Sequence, residues 1–168
     1  MKAVRFLSVV VFVLSMGAVN AHAQVATHMG QAASKHVTLE LVSGMPGGCG
    51  PSLYAFNRVM PDGTASVFRI PDKEVLVVTD VDWQFENPGA AGTFQTLRLI
   101  IENLADPYVN RSAFDSTIML GKHGKGGTSE HMTSGFVVSS RARICPDVFP
   151  MPTTLVHLLI RGYLTPDK

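Results

Sequence analysis

Glu74-Val-Leu-Val-Val-Thr-Asp-Val-Asp-Trp83 decides the fold. Side chains on an extended strand alternate between its two faces. The odd positions Val75, Val77, Val81 and Trp83 predict an inner face. The even positions begin apolar at Leu76 and Val78 and turn acidic at Asp80 and Asp82. The stretch therefore reads as a strand buried on both sides at its start and solvated on one side at its end. In that register Trp83, the single tryptophan, reads as a core residue. An exposed stacking platform for a sugar is the alternative.

Shorter β-prone runs flank this one. His36–Val42 places Val37, Leu39 and Leu41 on one face, and Thr64–Ile70 does the same with Ser66, Phe68 and Ile70. Ser112–Leu120, Glu130–Ser140 and Thr154–Leu164 also read as strands, the last with Val156, Leu158, Ile160 and Leu164 on one side. Residues 94–104 fit two templates. Leu97, Leu99 and Ile101 suit a strand, while Phe94, Leu97, Ile101 and Leu104 suit a helix. The turn-rich flanks favour the strand. Pro61-Asp62-Gly63, Pro71-Asp72, Pro88-Gly89, Asp106-Pro107, Gly121–Gly127 and Cys145-Pro146 punctuate the chain. Proline fixes φ and glycine permits positive φ, so these clusters read as turns. Seven or eight short strands around one core predict an all-β, antiparallel β-sandwich. A jelly roll is the expected form, with an immunoglobulin-like sandwich as the alternative.

The amino terminus carries an address. Lys2 and Arg5 precede the uncharged apolar run 6–16, and Ala21-His22-Ala23 supplies small residues for signal-peptidase cleavage before Gln24. The run is too short for a stable membrane span. The expected organisation is a cleavable signal peptide over 1–23, a flexible lead-in over 24–35 and one sandwich domain over 36–168. The expected location is secreted or periplasmic. No cysteine stands directly after the cleavage point, so a lipid anchor there is not expected. The signal removes two of 14 basic residues and none of 13 acidic ones, which leaves the processed chain at −1. That balance argues against nucleic acid and gives no general case for an anionic surface; after signal removal no membrane insertion is expected.

Cys49 and Cys145 are the only cysteines. In an oxidising compartment they are expected to form one disulfide, closing a loop of roughly a hundred residues and stabilising the fold by roughly 4–5 kcal/mol on the chain-entropy model.

Several side chains invite chemistry. Asp80 and Asp82 share a strand face. With Glu86, or Glu102 from a neighbouring strand, they form a candidate calcium site or an acid/base pair for a glycoside. The plain reading is a solvated strand end that discourages edge pairing. The Gly121–Thr128 run has the wrong order of glycine and lysine for a phosphate loop. Its Lys122 and Lys125 remain candidates for an anionic glycan. His123, His131 and Glu130 make a weak metal set, and no histidine pair has metal-ligand spacing, so no bound metal is expected. No Gly-x-Ser-x-Gly motif occurs.

Arg69–Trp83, together with Thr133-Ser-Gly-Phe-Val-Val138 and Ile144-Cys145, resembles a group of bacterial secreted proteins with a predicted β-sandwich and no assigned activity. The resemblance implies export and a sandwich fold, nothing catalytic. The expected function is therefore a non-catalytic binding or surface module, with a glycan or cell-surface component as partner. A carbohydrate hydrolase and a calcium-dependent lectin are the alternatives.

Overall fold

The computed structural model describes residues 32–41, 56–150 and 155–168. Nine strands follow one another among the described residues: β1 (His36–Leu41), β2 (Phe56–Val59), β3 (Ala65–Val67), β4 (Glu74–Glu86), β5 (Phe94–Asn103), β6 (Asn110–Met119), β7 (Lys125–Ser139), β8 (Ala142–Phe149) and β9 (Leu155–Pro166). They form two antiparallel sheets, ordered β3-β2-β1-β9-β4-β7 and β6-β5-β8. The chain is an all-β sandwich. The order β1-β9-β4-β7 opposite β8-β5-β6, with the chain changing sheets after β4, β6, β7 and β8, is jelly-roll connectivity rather than the immunoglobulin-like alternative. Among the described residues the second sheet has three strands, and β2 and β3 extend the edge of the first.

The core lies between the sheets. Val37, Leu39, Val81, Trp83, Leu158 and Ile160 from the large sheet meet Leu97, Leu99, Ile144 and Val148 from the small one, all at 6% exposure or less. Trp83 is fully buried, as its register predicted. Its indole Nε1 donates to Ser116 Oγ at 3.0 Å, and that hydroxyl donates in turn to the Glu130 carboxylate. A buried indole N–H needs such a partner, and this one ties the two sheets together.

The face assignment of β4 needs a correction. The register shifts between Val78 and Asp80 against both neighbours, which marks a β-bulge. One extra residue exchanges the two faces. The core face therefore runs Leu76, Val78, then Val81, Trp83 and Phe85. Val75 and Val77 are also buried but lie on the opposite face, outside the core cluster. A second shift between Gln84 and Phe85 explains β9. Leu155 is buried there and Val156 is 53% exposed, so Val156 does not share a face with Leu158, Ile160 and Leu164.

Other boundaries differ from the sequence reading. The run 64–70 is a strand only over Ala65–Val67, all exposed, and Phe68 and Ile70 leave it to pack on the core. Strand β7 starts at Lys125 and absorbs two glycines expected in a loop. Strand β8 was hidden by Pro146. A proline lacks the N–H a central strand would use, and Pro146 fits because β8 lies at the edge of its sheet among the described residues. Residues 94–104 resolve as strand over Phe94–Asn103, with Leu97 and Leu99 fully buried. Residues 33–35, at the end of the expected lead-in, form a 3₁₀ turn. Arg58 donates to the carbonyls of Ser34 and His36 beside it, and Lys35 pairs with Glu74. The expected signal peptide, cleavage point and Cys49 lie outside the described residues. Cys145 is buried on β8, and no cysteine among the described residues is free. No described helix is long and apolar enough to cross a membrane.

Candidate functional site

Beyond the bulge, every second residue of β4 points away from the core. Asp80, Asp82, Gln84 and Glu86 form an outward row, paired across to His131, Ser129, Gly127 and Lys125 of β7. On the other side the row meets Arg161, Leu159 and His157 of β9. An open concavity of about 700 Å³ lies along this row. Its lining includes Asp82, Gln84, Glu86, Lys125, Thr128, Ser129 and Val156.

The three acids of the row are in different situations. Asp80 is fixed from two sides: Thr79 Oγ1 donates to Oδ2 at 2.7 Å, and His131 Nδ1 lies 2.9 Å from Oδ1. Burial raises the Asp80 carboxyl, but the hydrogen bonds from Thr79 and His131, with the charges of His131 and Arg161, outweigh it and hold the group below the ordinary carboxylate value. Glu86 pairs with Lys125 at 3.0 Å. Asp82, between them and half-buried, makes no side-chain hydrogen bond or ion pair among the described residues. It is the uncommitted carboxylate of the concavity.

The depressed Asp80 has a consequence for stability. A carboxyl whose folded value lies below its unfolded one stabilises the fold above the unfolded value, about 3.9, and loses that contribution as pH falls through the folded value. Because the Asp80 and His131 side chains are 33% and 52% exposed, the effect is that of a surface pair, about 0.2–1 kcal/mol. Urea midpoints of wild type and Asp80→Asn are expected to differ at pH 7 and to converge below about pH 4. A gap that widens on acidification contradicts this assignment.

The other candidates do not converge here. Glu102 belongs to the opposite sheet, is 1% exposed, and accepts from Arg143 Nε. It cannot join Asp80 and Asp82, which removes the second-strand acid from the expected cluster. Lys122 sits exposed in the turn before β7 and does not line the concavity. Glu130 faces inward to Ser116 while His131 faces outward to Asp80, so neighbouring residues on β7 point to opposite faces and the His123–Glu130–His131 set does not assemble. Among the described residues no three His, Cys, Asp or Glu come together as a metal-binding group.

The concavity also contains residues the sequence did not single out. Gln84 was readable, since it falls between Asp82 and Glu86 in the same alternation. Thr128, Ser129 and Val156 were not, because cross-strand register depends on bulges. In comparisons with known proteins, no family model and no curated sequence matches the chain.

Proposed function

We propose that the protein is exported as a secreted or periplasmic module, stapled by a Cys49–Cys145 disulfide, and binds a hydroxyl-rich ligand, a glycan, on the outer face of its large sheet. The signal-like residues 1–23 support export, and the two cysteines suit an oxidising compartment. The observation that carries the binding role is the open concavity with the uncommitted Asp82 in its lining. The amide of Gln84 and the hydroxyl of Ser129 share the outer face with that carboxylate, with Val156 as an apolar contact. Convergent donors and acceptors beside a small apolar surface suit vicinal hydroxyls, and the openness of the site suits part of a longer polymer.

A hydrolytic role has less support. A glycosidase needs one carboxyl kept protonated to act as acid, and Asp80 is pushed the other way. Glu86 is already paired with Lys125.

A glycan array probed with the exported protein tests the reading. Asp82→Ala is expected to weaken the best glycan by roughly tenfold or more, the scale of one lost charge-assisted hydrogen bond, with an unchanged melting temperature. Equal binding by wild type and Asp82→Ala, or no glycan bound, would sink it.

A further inference from the structure

At the end of the sandwich where β5 turns into β6, Leu104–Val109 presents its apolar side chains to solvent. Tyr108 is 92% exposed, Leu104 57% and Val109 44%, with Pro107 exposed beside them. Single exposed apolar residues are ordinary; a group of this kind in one six-residue loop marks an interaction site. The loop is held in shape by its own polar groups. Asn103 Oδ1 accepts from the Ala105 amide at 2.8 Å, and Asp106 Oδ1 accepts from the Tyr108 amide at 3.1 Å. Backbone bonds from Asn103 to Val109, from Val109 to Asp106 and from Leu104 to Arg141 close it against the β7–β8 turn. The apolar tip is thus displayed in advance, with little ordering left for binding to cost.

Charge chooses the partner. Arg111, at the start of β6, and Arg141, whose carbonyl receives the Leu104 amide, are both exposed at the base of the loop. Neither forms an ion pair among the described residues. The one acid of the tip, Asp106, is engaged with the Tyr108 amide. The exposed apolar surface of the tip amounts to roughly 300–400 Å², well under the roughly 800 Å² per partner of a stable protein interface. A tyrosine tip above two arginines matches a lipid headgroup layer, where amphipathic rings settle at the interface and guanidinium groups meet phosphates.

We propose that this loop is a peripheral docking element for an anionic lipid surface. Leu104, Tyr108 and Val109 enter the headgroup region, and Arg111 and Arg141 bind phosphates at its rim. The near-neutral charge of the whole chain does not oppose this, because screening confines the attraction to charges close to the surface. The proposal is independent of the concavity on the large sheet.

Co-sedimentation of the exported protein with vesicles tests it, using equimolar phosphatidylcholine–phosphatidylglycerol against phosphatidylcholine alone, at low and physiological salt. Binding to the anionic vesicles is expected to exceed that to neutral ones by roughly tenfold or more and to weaken with salt. Leu104→Ser/Tyr108→Ser and Arg111→Gln/Arg141→Gln are each expected to lower it by roughly tenfold. All four positions are exposed, so a melting temperature kept within a few degrees confirms that the variants fold. Absence of vesicle binding, equal binding to both lipid mixtures, or binding unchanged in the two double variants overturns the proposal. Loop-dependent self-association on gel filtration without vesicle binding overturns it in favour of a protein interface.

Discussion

Gly162→Ala is expected to destabilise the protein by at least about 3 kcal/mol, a large share of the roughly 5–15 kcal/mol of an ordinary domain. Gly162 lies within β9, opposite Val37 of β1 on one side and Val78 of β4 on the other. A Cβ there would sit 2.0 Å from the Val77 carbonyl oxygen and 2.9 Å from its carbon. These are backbone atoms in the middle of a sheet, and no rotamer change relieves them. The strands would have to separate by more than an ångström, with loss of neighbouring ladder bonds worth about 1 kcal/mol each. The obstacle is the Val77 carbonyl of β4, just before the register shift. On the other flank Gly135 of β7 is equally constrained: it has φ +66°, and a Cβ there would come 2.2 Å from the Val78 oxygen. Gly135→Ala should therefore behave alike, whereas Gly63→Ala, with open space around its Cβ despite a positive φ, should cost no more than about 1–2 kcal/mol. Urea unfolding of the three variants decides this. Near-wild-type stability of Gly162→Ala would mean that β9 does not lie this close to the Val77 carbonyl.

The second large effect is expected at Arg143. Its Nε donates to Glu102, whose side chain is 2% exposed while that of Arg143 is 27% exposed. Removing one partner of a buried pair strands the other charge without compensation, at a cost of about 3–5 kcal/mol. Because water reaches part of Arg143, the lower end applies to Arg143→Met. Replacing both groups, as in Glu102→Leu/Arg143→Met, removes the stranded carboxylate and should return stability to within about 1–2 kcal/mol of wild type. A double-mutant cycle on urea midpoints measures the difference. If the double variant is as unstable as Arg143→Met, packing and not charge accounts for the loss.

The sandwich was legible because its longest apolar runs keep a period of two. Val37 and Leu39, Leu97 and Leu99, and Leu158 and Ile160 all face the core as alternation requires. What escaped was local. The bulge at Thr79 is a single extra residue after the valine-rich half of β4. A valine run looks the same whichever half is shifted, so Val75 and Val77 were assigned the face that Leu76 and Val78 occupy. Strand β8 was read as a turn because Pro146 is a turn residue in most settings, and only its position at a sheet border explains its presence in a strand.

Of the candidate site, the outward row on β4 was partly legible, since Asp80, Asp82 and Glu86 follow the same alternation past the bulge. Its organisation was not. That Asp80 is engaged by His131, Glu86 by Lys125 and Asp82 by neither depends on the register of β7, which is set by the shift at Val78/Asp80. Glu102 was grouped with these acids on charge alone. Its membership of the other sheet follows from topology, which no spacing within 94–104 encodes.

Among the described residues strand β8, with its proline, borders the small sheet. Pro146, buried opposite Leu99, has no N–H to give and is placed where the ladder to β5 does not need one. An incoming chain that tried to add itself along Ala142–Phe149 would find one rung without a donor midway along its length. Such a rung discourages the lateral accretion by which sheet borders seed fibrils.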